Sequence, residues 1–171
     1  MTTTSSIFHL RSEETQRNSQ ANPQAEILIC DAEPAHIDGA KRLADMNRHI
    51  FSFIRRAAFL DACSEGALII ALMNDEVVGF VRYHHRKLDQ QTTLYDICVA
   101  ESLRGMGIGG KMMAFMLDHC RTLKRQTVVL KCPSHLAANH FYRLVGFTCI
   151  DTVPGKRQNI NIWRLNINTA G

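Results

Sequence analysis

No Cys-x-x-Cys pair occurs in the sequence, whose six cysteines (30, 63, 98, 120, 132 and 149) are scattered along 171 residues. That spacing excludes a zinc ribbon or dithiol redox motif, and no metal is expected. Most of the cysteines lie in apolar runs, where a reduced thiol behaves as a small hydrophobe, so the expected compartment is the cytoplasm. No apolar run approaches the roughly 20 residues of a membrane span, and no membrane partner is expected. The first two dozen residues are rich in Ser, Thr, Gln and Asn and lack the apolar stretch of a signal peptide. They read as a flexible tail over 1–24, followed by one domain over 25–171. Aromatic residues are sparse, at 7%. Basic residues with interleaved aromatics, the pattern of a nucleic-acid surface, are missing, so nucleic acid is not an expected partner.

Charge is abundant in one place. Residues 104–131 hold Arg104, Lys111, Arg121, Lys124, Arg125 and Lys131 against Asp118 alone, a surplus larger than the +4 of the whole chain. A compact polyphosphate ligand fits such a concentration.

Elements of both kinds follow the tail. Residues 25–32 form a short apolar strand, and Pro34 suits the first turn of a helix running on from it. Residues 50–63 predict a second helix with Phe53, Ile54, Ala57 and Leu60 on one face. Two apolar runs flank Asn74-Asp75-Glu76 as an antiparallel hairpin, and residues 92–100 are a further strand. Met112, Met113, Met116, Leu117, Cys120 and Leu123 recur with helical period. A strand at 126–132, a helix closed by Gly146, and a strand pair around Pro154-Gly155 complete the pattern. The expected class is α/β of the α+β type: one central mixed, mostly antiparallel sheet with helices on both faces and a single parallel pair.

The segment "SLRGMGIGGKMM" (102–113) admits two readings. Gly105, Gly107 and Gly110 match the dinucleotide fingerprint G-x-G-x-x-G, whereas Arg104, Gly107 and Gly109 match R-x-x-G-x-G. Both use unpaired amides at a helix start to hold phosphate. The dinucleotide fingerprint opens tightly after its strand and needs an acid about 20 residues on. Here "AESLR" intervenes and the next strand ends in Lys131, Cys132 and Pro133 with no acid, which argues against a nicotinamide cofactor.

The second reading has company. "ICVAESLRGMGIGGKMM" resembles the acetyl-CoA loop of the GNAT N-acetyltransferase superfamily, and "ANHFYRLVGF" resembles its second motif. The likeness spans residues 25 to about 168, with the motifs in order. It implies a GNAT-like domain using acetyl-CoA as cosubstrate, with Arg104, Gly105, Met106, Gly107, Ile108 and Gly109 offered to the CoA pyrophosphate and Gly110 and Lys111 extending the cradle. It also implies that the strand splays from its neighbour near Cys98 and Val99, freeing backbone groups for pantetheine. Where the family often has Asn, seven residues before the Tyr, this chain has His135; Asn139, one helical turn on, is the candidate for that pantetheine contact.

The implied reaction is acetyl transfer to a primary amine of a small molecule or protein, by a monomer or homodimer; the alternative is a non-catalytic CoA-binding module. Tyr142 occupies the family position of the general acid, and also the cofactor-side position in the second motif. A tyrosine of reference pKa near 10 keeps its proton at neutral pH and passes it to a thiolate of similar basicity. Asp96, polar within "LYDICV", is the candidate base, with His84 and His85 as rivals. The acceptor lining is expected from Asp45, Asp61 and Glu65 on one side and Lys156 and Arg157 on the other, a mixture that selects no acceptor.

Overall fold

Alternation within a single strand sets the layers. The computed structural model describes residues 26–167, so the expected tail and the final residues lie outside the described part. Strand β2 (Leu68–Met73) sends Leu68, Ile70 and Leu72 to one apolar cluster and Ile69 and Ala71 to another. Both faces of the sheet are therefore covered, as a strand apolar on both faces demands.

One cluster packs α1 (Ile37–Met46) and α2 (Arg56–Ser64) against the sheet through Ile37, Leu43, Phe59 and Ala62. Phe59 meets Phe80 edge-to-face at 5.2 Å between centroids, an arrangement worth about 0.5–1.5 kcal/mol beyond area burial. The opposite cluster holds α3 (Ile108–Thr122) and α4 (Ala138–Val145), with Met112, Met113, Met116 and Cys120 inward. Leu123, expected on that stripe, lies past the helix end and is 53% exposed.

The remaining strands are β1 (Ile27–Asp31), β3 (Glu76–His85), β4 (Gln91–Val99), β5 (Thr127–Pro133), β6 (Thr148–Pro154) and β7 (Asn159–Asn166), in sheet order β1-β2-β3-β4-β5-β7-β6. All neighbours are antiparallel except β4 and β5, as expected from the sequence. Asn74 and Asp75 close the β2–β3 hairpin with φ of 51° and 63°, the left-handed pair that matches strand twist. No described helix is long and apolar enough to cross a membrane.

The second helix departs from expectation. It begins only at Arg56, and Phe59 and Ala62 form its buried face; Phe53 and Leu60 are exposed. Residues 50–55 form a loop beside the sheet instead, because Ile54 is buried from the loop and no helical turn places it with Phe59.

The feature that positions the site is a fork. β4 and β5 pair in register only at Gln91↔Thr127, Thr92↔Val128 and Thr93↔Val129. Beyond Thr93 they part, and the β3–β4 register slips between Arg82 and Tyr83, so Tyr95 has no partner opposite it. A bulge of this kind bends its strand and raises local twist, which carries the end of β4 away from β5.

Candidate active site

The fork is lined by two adjoining clefts. The first, of about 700 Å³, runs from Ile97, Cys98 and Val99 to the glycine loop and is closed by Phe51, Leu136 and Phe141. The second, of about 460 Å³, is bounded by residues 50–55, by Arg82, Tyr95 and Asp96, and by Lys131, Cys132 and Tyr142. Ile50, Phe51, Ile97, Leu136 and Ala138 border both, so the two clefts lie side by side.

At the first cleft, the glycine loop leaves a row of backbone amides unpaired. Gly105 and Gly107 adopt φ of 79° and 80°, a region costly for any residue with a Cβ. Gly107 begins α3 without a side-chain cap, and the first helical bond is Lys111 N–H to Gly107 O at 3.0 Å. The amides of Ile108, Gly109 and Gly110 are thus without intrahelical acceptors, at the positive end of a helix dipole. A Cβ added at Gly105, Gly107 or Gly110 would meet open space, whereas one at Gly109 would meet the Phe141 ring at 3.3 Å. Gly109 is therefore favoured by tight packing and Gly105 and Gly107 by backbone shape, while Gly110 leaves its surface open.

Cys98, Val99, Arg104, Gly105, Gly107, Ile108, Gly109 and Gly110 all line this cleft; Met106 and Lys111 are exposed beside it and are not part of its wall. Arg104 is anchored: its Nε donates to Val99 O at 3.1 Å and Nη2 to Asn47 Oδ1 at 2.7 Å, while Asn47 Nδ2 donates to Leu43 O. The guanidinium thus ties the end of β4 to the end of α1. The Ala100 N–H donates to Val78 O on β3, and backbone direction alternates along a strand. It follows that Cys98 turns its backbone to β3, and the groups facing the fork are those of Ile97 and the Val99 N–H. This corrects the expectation that Cys98 offers free backbone.

The basic surplus is also redistributed. α3 is 15 residues long, about 22 Å at 1.5 Å per residue, and Arg121, Lys124 and Arg125 lie at its far end. Arg121 pairs with Asp118, and Arg125 donates to Arg86 O and Asp89 O. Only Arg104 and Lys111 stand near the glycine loop.

Asn139 is corrected as well. It borders neither cleft. Its Nδ2 donates to Pro133 O (2.8 Å), Leu136 O (2.7 Å) and Ser134 O (3.3 Å), and its Oδ1 accepts from Trp163 Nε1 (2.9 Å) and Asn161 Nδ2 (3.0 Å). A side chain so engaged has no group left for pantetheine; it fixes α4 to the ends of β5 and β7. Asn139→Ala is expected to lower unfolding free energy by about 2–4 kcal/mol, because the buried indole N–H of Trp163 loses its acceptor and Ser134 O its donor, while Pro133 O and Leu136 O keep only their backbone donors. Chemical denaturation checks this; an unchanged midpoint would remove Asn139 from the support of the site.

Tyr142 is buried, with its ring against Phe141, Phe147 and Trp163. No described group hydrogen-bonds its hydroxyl, and the residue borders the second cleft. Burial, with Cys132 and Asp96 nearby, pushes its pKa above the ordinary tyrosine value, which keeps the hydroxyl protonated and makes it a weaker acid than a free tyrosine. Asp96 borders the same cleft with its side chain 14% exposed. Arg82 donates from Nε (2.8 Å) and Nη2 (2.5 Å), both to Oδ2, and Oδ1 has no described partner. Burial raises the Asp96 pKa against the opposing pull of Arg82. Arg82 also lies over the Tyr95 ring at 4.9 Å.

The rival histidines sit elsewhere. β3 pairs Gly79 with Val99 but His84 with Thr93 and His85 with Thr92, so both lie at the closed end of the fork. His84 faces Glu65 at 3.2 Å; His85 faces Thr92 at 2.8 Å, and burial pushes its pKa down to about 4. The residues expected to line an acceptor site do not border the second cleft. Asp45 is paired with Lys41 and Arg48, and Asp45, Asp61, Glu65, Lys156 and Arg157 are absent from the second cleft's wall. Arg55, Arg82 and Lys131 take that place. Sequence reasoning missed them, and the 50–55 loop, because the loop had the spacing of a helix.

A family model described as the acetyltransferase (GNAT) family matches residues 28–147. No curated protein matches the chain. Among solved structures, Ard1 from Thermoplasma volcanium is 22% identical, with TM-score 0.74 over 82% of this chain and 97% of that one. The ribosomal-protein-S18-alanine N-acetyltransferase of Escherichia coli is 18% identical, with TM-score 0.70 over 85% and 97%. An aminoglycoside 6'-N-acetyltransferase complexed with coenzyme A is 14% identical, with TM-score 0.73 over 82% and 97%.

Proposed function

The chain belongs to the acetyltransferase (GNAT) family, and from that premise we propose that it transfers the acetyl group of acetyl-CoA directly to a primary amine. One observation carries the reading: Tyr142 and Asp96 share a cleft that adjoins the glycine-loop cleft. A thioester carbonyl near Ile97 would stand between a phosphate cradle on one side and a proton donor and acceptor on the other.

The fit to acetyl-CoA rests on the loop. Its glycines leave room for phosphate where a Cβ would point, and the amides of Gly105 to Gly110 would hold the pyrophosphate. The fork-facing groups of Ile97 and Val99 would hold the pantetheine arm. When bound, acetyl-CoA supplies an acetyl group already activated as a thioester.

The remaining chemistry belongs to the chain. An amine arrives mostly as ammonium and must lose a proton before attack. Asp96 Oδ1, free of Arg82, would accept it, and the burial that raises this carboxyl's pKa brings it nearer the operating range. Tyr142 would return a proton to the departing thiolate. Cys98 and Cys132 are poor candidates for a covalent acetyl carrier, since burial pushes both thiols up to about 11 and the thiolate is the nucleophile. That supports transfer without an acyl-enzyme.

The test of the base is the pH profile of kcat/KM, followed by thiol release. Below its pKa Asp96 is protonated and accepts nothing, so the rate falls as pH drops through that pKa. Because burial raises this pKa, the acidic limb lies at higher pH than an exposed aspartate would give. The limb is expected to stay fixed with acceptors of different amine pKa and to vanish in Asp96→Asn. A limb that follows the acceptor and survives Asp96→Asn would remove the base, leaving an enzyme that selects neutral amine.

A further inference from the structure

The charges on the wall of the second cleft are unbalanced. Its charged residues are Arg55, Arg82, Lys131 and Asp96. Arg82 and Asp96 are only 18% and 14% exposed and satisfy each other's charge at 2.5 Å. Arg55 and Lys131 then remain, and neither side chain has a hydrogen bond or ion pair with any described residue. Arg55 comes from the loop before α2 and Lys131 from β5, so two distant segments bring like charge to one volume of about 460 Å³. The neighbouring Arg56 behaves differently: it turns to Asp38 at 2.7 Å. The carboxylates of Asp45 and Glu65 are held by Lys41, Arg48 and His84, leaving Asp96 as the single acid of the wall.

From this we infer that the acceptor is a metabolite-sized amine bearing an anionic group, a carboxylate or a phosphate, which Arg55 and Lys131 engage while the amine faces Asp96 and Tyr142. The inference rests on the acetyltransferase reading for the identity of the reacting group. A ligand anion would gain charge-assisted hydrogen bonds from cations that have no described partner. A polycationic amine would meet like charge on both sides of its path. The cleft volume lies within the range of small-molecule sites. Selection would act chiefly on acceptor affinity, since neither cation needs to touch the thioester.

The test uses matched amines and the full-length protein with CoA added. Glycine is compared with glycinamide, 2-aminoethyl phosphate with ethanolamine, and spermidine serves as the polycation; binding is read by ligand-observed NMR and turnover by thiol release from acetyl-CoA. At least one anionic member is expected to bind about tenfold or more tightly than its neutral partner, with the two pairs telling carboxylate from phosphate. Its advantage should shrink with added salt. The double variant Arg55→Glu/Lys131→Glu should abolish the preference, and Arg55→Gln/Lys131→Gln should weaken it, while acetyl-CoA affinity in the other cleft persists. Equal or tighter binding of the neutral amines or spermidine, no binding by either anionic amine, or a preference that survives charge reversal would each overturn the inference. Failure of the wild type to bind acetyl-CoA would strike the acetyltransferase reading instead, and the matched-pair affinities would still decide the charge preference.

Discussion

Replacing Tyr142 by Phe is expected to lower kcat by about a hundredfold to ten-thousandfold, the range of general acid catalysis, with acetyl-CoA affinity nearly unchanged. The structure makes this a clean substitution. The ring carries the packing, against Phe141, Phe147 and Trp163, and Phe keeps the ring. The hydroxyl has no described hydrogen-bond partner, so its removal breaks no internal bond and leaves no buried group unsatisfied. The melting temperature should therefore stay within the spread of replicate measurements. Pre-steady-state thiol release separates the chemical step from product release. Full turnover in a folded Tyr142→Phe protein would return this residue to the core and leave protonation of the thiolate to solvent.

Gly107→Val is expected to weaken acetyl-CoA binding by about ten- to hundredfold, equivalent to losing one or two charge-assisted amide–phosphate bonds. Two effects combine. At φ +80° a β-branched side chain is strained, so the loop relaxes toward a shape that no longer points its amides at the phosphate. The added methyl groups also project into open space, which is where the pyrophosphate would lie. Gly107→Ala separates the two, since it keeps the strain and adds one methyl. Titration calorimetry with acetyl-CoA measures both variants. Unchanged affinity in a folded Gly107→Val protein would remove the loop from the binding site.

These expectations differ in origin. The glycine loop was legible because a left-handed residue before a helix is a local demand, written in the residue type itself. The same holds for Asn74-Asp75 in the β2–β3 turn and for Gly146, whose φ of 109° closes α4. Strand alternation in β2 and the helical period of the methionines in α3 are local in the same sense. Local spacing misled at residues 50–63, where Phe53, Ile54, Ala57 and Leu60 have helical period. The helix forms from Arg56 with another face inward, because the covering surface is Phe80 on β3, and no window around residue 55 contains that strand.

Asn139 shows the same division within one side chain. Its place in the second motif was readable, but its partners come from β5, the start of α4, and β7. Only the folded sheet brings Trp163 and Asn161 to it, and they turn a candidate ligand contact into a brace. The basic residues of 104–131 likewise formed one group in sequence, until a helix about 22 Å long separated Arg104 and Lys111 from Arg121, Lys124 and Arg125.

By itself, then, the sequence determined the family, the sheet-and-helix pattern, the glycine turn before α3, and Tyr142 and Asp96 as the residues to test, since each depends on backbone preference, periodicity or a short motif. The tertiary structure alone decided that β4 and β5 part after Thr93, that Asp96 keeps Oδ1 free while Arg82 holds Oδ2, and that Arg55 and Lys131 face one cleft. Those facts depend on which distant segments end up adjacent, and Coulombic and hydrogen-bond partners act over a few ångströms of space whatever their separation along the chain.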